Sequence, residues 1–157
     1  MPRATTPEKL HEYAELLKFL NIFSTYAQEI PLDADYHPGN VSRRHAALGG
    51  VSRALAGLRQ AINDILEQVD DWPPQAVKAY DDLMQQHSVV TVSELRRRSS
   101  RVLRRIVKRN RIKSETEYYL VKGIVEGCGE TMSKEEHTSL PALLLEFEMT
   151  AKKSAGN

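Results

Sequence analysis

Seven apolar side chains, Leu48, Val51, Leu55, Leu58, Ile62, Ile65 and Val69, recur at alternating steps of three and four residues. That spacing collects them on one face of an α-helix and conflicts with the two-residue period of a half-buried strand. A seam of this kind needs a second helix lying nearly antiparallel against it. The preceding segment supplies one. Leu10, Tyr13, Leu17 and Leu20, with Leu16, Phe19, Phe23, Tyr26 and Ile30, form a broad apolar face at helical spacing. Thr6 is placed to cap this first helix, with Pro7 at its first position, where a missing N–H costs nothing. Pro31 ends it, and the segment from Asp33 to Asn40 reads as a turn-rich connection to a second helix capped by Asn40 or Ser42. The sequence thus predicts an N-terminal antiparallel αα-hairpin over 6–30 and 42–69. Gly49 and Gly50 weaken the second helix by about 1 kcal/mol each relative to alanine, and predict a kink there.

Asp70-Asp71-Trp72-Pro73-Pro74 is a firm break, because a residue before proline avoids helical geometry. Beyond it the pattern predicts a helix over about 74–87, an extended linker at 89–92 and a helix over 93–109 capped by Ser93. Ser114, with Glu117 three residues on, opens the next helix as a capping box, and Gly127-Cys128-Gly129 closes it. A last helix is expected to start at Ser139 with Pro141 and to fray from Ala151. The shorter helices occupy 74–153. The fold class read from these signals is an all-α helical bundle of five or six helices, one domain over 1–157 with disordered ends at 1–5 and 154–157.

At 157 residues the chain is long enough to bury a core without a disulfide or metal staple. One cysteine, Cys128, excludes an internal disulfide and a cysteine-rich zinc site. No apolar run approaches the roughly 20 residues of a membrane span, and the N-terminus leads into charge rather than an apolar signal core. These features point to a cytoplasmic protein with no membrane role and no cofactor.

The most unusual feature is electrostatic. The chain balances 22 basic against 21 acidic side chains, yet residues 91–113 hold 10 basic and 1 acidic. On a single helix over 94–109, Leu95, Val102, Leu103, Ile106 and Val107 would share one arc. Arg97, Arg98, Arg101, Arg104, Arg105, Lys108 and Arg109 would share the opposite arc, with Arg96 as the exception, projecting among the apolar residues. Three fates compete for this stripe: neutralisation by acids of the same chain, contact with nucleic-acid phosphates, or docking of an acidic protein partner. Two absences weaken the nucleic-acid reading. The pI is only about 7.9, and no aromatic residue interleaves the arginines as a stacking platform.

Other constellations carry less. Glu8-x-x-His11 lacks the second copy that a four-helix di-metal site requires. Asp33-x-Asp35-x-His37 lacks the turn glycine and the closing glutamate of a calcium loop. No phosphate loop, dinucleotide fingerprint or nucleophile elbow occurs, so neither a catalytic nor a metal site is assigned. The functional expectation is a non-enzymatic interaction module, regulatory or adaptor-like. It binds an acidic protein partner through the arginine-rich helix, or self-associates as a homodimer through Phe19, Phe23 and Tyr26. The alternative is a nucleic-acid-binding protein that grips phosphates with the same helix.

Overall fold

A computed structural model describes residues 4–128 and 131–155. Among them the chain is all-α, with eight helices and no strand: α1 (Pro7–Tyr26), α2 (Pro38–Gly49), α3 (Val51–Val69), α4 (Pro74–Gln86), α5 (Val92–Ser99), α6 (Arg101–Arg109), α7 (Glu115–Gly127) and α8 (Lys134–Ala155). No helix is long and apolar enough to cross a membrane.

Eight helices stand where five or six were expected because two long ones break. Gly50 adopts φ +90, a left-handed conformation that strains any residue with a Cβ, and it separates α2 from α3. Leu48, assigned to the buried seam, lies before this break and is 89% exposed, whereas Leu55, Leu58, Ile62, Ile65 and Val69 beyond it are buried. The second break is at Ser100, which is extended (φ −72, ψ 113). Ser99 donates its hydroxyl to Leu95 O at 2.7 Å, and Ser100 Oγ accepts from Leu103 N at 3.0 Å. These local bonds compete with the helical ladder, so one basic helix becomes two.

Capping assignments shift for related reasons. Thr6 caps α1 as its sequence implies, accepting from Lys9 N at 3.3 Å. α2 is capped instead by buried His37, whose Nδ1 accepts from Gly39 N at 3.1 Å, with Pro38 at the first helical position. Asn40 is drawn into the preceding loop, donating to Leu32 O and Ala34 O. Thr91 rather than Ser93 caps α5, and Ser133 with Glu136 forms a reciprocal capping box ahead of α8, so Pro141 falls inside that helix. α8 continues through Ala151 to Ala155. Cys128 is the C-cap of α7, while Gly129 lies outside the described residues, as do 1–3, 156 and 157 of the expected disordered ends.

Contacts gather into two compact units. One contains the chain up to Asp71 together with Leu83–Val90; the other contains Trp72–Asp82 and the chain from Thr91 onward. In the first, α1 lies against α2 and α3. Its core joins Leu16, Phe19, Leu20 and Phe23 to the α3 seam, with the Phe19 and Phe23 rings stacked at 5.8 Å. In the second, α7 is the central element, contacting α5, α6 and α8. Its core is built from Leu103, Ile106, Ile112, Val121, Ile124, Cys128, Met132, Leu140 and Leu143.

Candidate functional site

Helix α5 ends in Arg96, Arg97 and Arg98, where cations complement the negative end of the helix dipole. The acid that organises Arg97 and Arg98 is Glu94, one turn back and buried. Its carboxylate accepts from Arg97 Nε and Nη2 at 2.9 and 2.8 Å, from Arg98 Nε at 2.9 Å and from Thr131 Oγ1 at 2.6 Å. Arg97 also reaches Glu136 at 3.2 Å. Burial alone would raise the Glu94 pKa, but the bonds from Arg97, Thr131 and Arg98 outweigh it and hold the carboxyl at about 2.

Behind this hub lies a second buried acid, Asp81 of α4. It accepts from Ser93 N at 3.1 Å and from the Ser93 hydroxyl, while the charge of Arg96 also favours its ionised form. Burial dominates, and the Asp81 pKa is raised. Arg96, out of place on the helical wheel, thus has a buried carboxylate within electrostatic reach. The space between α5 and α7 is tight: a Cβ on Gly127 would lie 2.8 Å from Ser93 Oγ and 2.9 Å from Asp81 Oδ2. Burial, then the Glu94 and Asp81 carboxylates, push the Cys128 thiol up to about 12, which makes it a poor nucleophile. Thr131 escapes a sequence reading because no local spacing ties it to α5.

The break at Ser100 decides the rest. It resets the helical phase, so the seven cations do not form one stripe. Arg97 and Arg98 belong to α5 and are held by Glu94. At the far end Arg109 donates to Arg111 O at 3.1 and 2.9 Å and pairs with Glu117 of α7. Three of the seven are therefore clamped by their own chain, as the neutralisation reading requires. Arg101, Arg104, Arg105 and Lys108 are exposed, and none of them has an ion-pair partner among the described residues. They sit at positions 0, 3, 4 and 7 of one face of α6, about 10 Å from first to last at 1.5 Å per residue. The first turn of α6 contains Arg101 and no acid, so positive charge is stacked on the positive end of the helix.

The proposed self-association residues do not make a surface. Phe19 and Phe23 are 0% and 1% exposed because α3 already covers their face of α1. Only Tyr26 is open, at 50%, with His87 beside it at 5.8 Å between ring centroids. A cleft of about 330 Å³ beyond the end of α6 is lined by Arg111, Ile112, Lys113, Leu143, Glu146, Phe147 and Thr150, with no histidine or cysteine. Among the described residues no group of histidine, cysteine, aspartate and glutamate is arranged to hold a metal ion. Comparison with protein-family models, curated proteins and solved structures finds no match to this chain.

Proposed function

We propose that the chain is a non-enzymatic interaction module whose α6 binds an acidic segment of a protein partner. One observation carries the reading: Arg101, Arg104, Arg105 and Lys108 stand open on a single helix face while their neighbours in sequence are clamped. Guanidinium groups form paired hydrogen bonds with carboxylates, and the uncompensated positive end of α6 adds to the attraction for an anion. Four cations over about 10 Å match the carboxylates on two turns of an acidic helix or a short extended acidic segment. The face is small for a duplex, and no aromatic residue in α6 offers a stacking surface to single strands.

The test is fluorescence anisotropy with a labelled octaglutamate peptide and, separately, a labelled duplex oligonucleotide of mixed sequence. At 50 mM salt the peptide is expected to bind, with affinity falling at least tenfold by 300 mM. Arg101→Glu with Arg105→Glu should abolish binding without altering helical content. Equal peptide binding by wild type and this variant would overturn the reading. So would failure of the peptide alongside duplex binding whose log–log salt slope is about −3.6, the value for four neutralised phosphates.

A further inference from the structure

The two compact units carry opposite charge. The unit containing α1, α2 and α3 holds 7 basic and 10 acidic side chains, and the unit containing α5 to α8 holds 15 basic and 11 acidic. Four of the ten acids of the first unit, Asp64, Glu67, Asp70 and Asp71, fall at or just past the end of α3. Asp64 and Glu67 lie one turn apart on α3, Asp71 lies two residues past its end, and all three are exposed. Asp64 takes a hydrogen bond from Gln60 at 2.9 Å, and none of the three joins an ion pair with a described residue. The last turn of α3 contains no basic residue. Negative side chains are therefore stacked on the negative end of a helix, the converse of the arrangement at the start of α6.

Each of these helix ends is electrostatically incomplete, and each presents what the other lacks. We infer that a second copy of this chain is an occupant of the α6 face, with the Asp64–Glu67–Asp71 end of α3 docked on Arg101, Arg104 and Arg105. This rests on the reading of α6 as an acid-binding face and names its partner. The spacing of the two acids within α3 agrees with that of the cations: Asp64 and Glu67 are three residues apart, as are Arg101 and Arg104. Docking places an anion at the positive start of α6 and a cation at the negative end of α3, so both dipole mismatches are relieved together. Every copy carries both ends, so a copy docked through its α3 end still offers its own α6 face to the same contact. The contact consists of exposed charges, so salt weakens it over the range in which the screening length falls below about 10 Å.

Light scattering on the full chain at 200 µM tests this. At 50 mM salt the expected mass is at least that of two copies, returning to one copy at 500 mM. Asp64→Lys with Glu67→Lys, at exposed positions, should give one copy at both salts, as should Arg101→Glu with Arg105→Glu. All four changes together reverse both faces and should restore the larger mass. A single-copy mass for wild type at 50 mM overturns self-docking, and so does a larger mass in the Asp64/Glu67 variant. Octaglutamate separates the two proposals. Unimpaired peptide binding by a wild type of single-copy mass leaves the acid-binding face standing and removes only the second copy as its occupant.

Discussion

Glu94→Gln isolates the contribution of one buried charge. The glutamine keeps the shape of the side chain but presents an amide N–H₂ toward one of two arginines that can only donate. In the native chain the Glu94 pKa lies at about 2 against an ordinary 4.5, because the bonds from Arg97, Thr131 and Arg98 overcome the cost of burial. That difference corresponds to about 3 kcal/mol of stabilisation of the ionised form. The Arg98 side chain is 43% exposed, so its share is screened by solvent, whereas Arg97 is 21% exposed and retains Glu136. Glu94→Gln is therefore expected to cost roughly 2–3 kcal/mol at pH 7. Trp72 is the only tryptophan and lies in the same unit, so urea unfolding followed by its fluorescence reads the effect directly. The pH dependence has a defined sign. A carboxylate with a depressed native pKa contributes fully above about pH 4.5 and loses that contribution as the pH falls through about 2. The gap between wild type and variant should accordingly close across that window. A gap below about 0.5 kcal/mol at pH 7, or one that stays constant down to pH 2, would refute the account of Glu94 as the organiser of α5.

Two further outcomes follow from the same packed region. Gly127→Ala forces a methyl group to within 2.8 Å of Ser93 Oγ, whose backbone is itself held by Asp81, and should cost roughly 1–3 kcal/mol. Gly123→Ala, which meets open space on the same helix, should be neutral or stabilising, and equal melting temperatures for the two variants would contradict the packing argument. Cys128, with its thiol pushed up to about 12, should resist iodoacetamide in the native chain at pH 8 and react once urea unfolds it; rapid native labelling would show that the site is open.

Particular residues show where sequence reasoning reaches its limit. The seam from Leu55 to Val69 is buried as its spacing demands, and Thr6-Pro7 opens α1, because both signals act over three or four residues. Breaks inside a continuous pattern are harder to read. The pairs Gly49-Gly50 and Ser99-Ser100 each signal weakness, yet periodicity runs on across both. The decision rests on whether a positive φ or a serine cap is more favourable in place than continued helix. At Ser100 that decision carried Arg97 and Arg98 off the stripe.

The order of residues alone established an all-α chain, the main apolar seam and a concentration of positive charge between 91 and 113, since helix formation and helix faces depend on neighbours a turn apart. Which of those charges remain open was settled only by the tertiary structure. Thr131 and Glu136 reach Glu94 and Arg97 from 37 and 39 residues away, and a separation of about 3 Å in space leaves no trace in local spacing. Glu94 holds Arg97 and Arg98 from one turn away on α5, packing adds Thr131 and Glu136 to that hub and Glu117 to Arg109, and Arg101, Arg104, Arg105 and Lys108 are left open on α6.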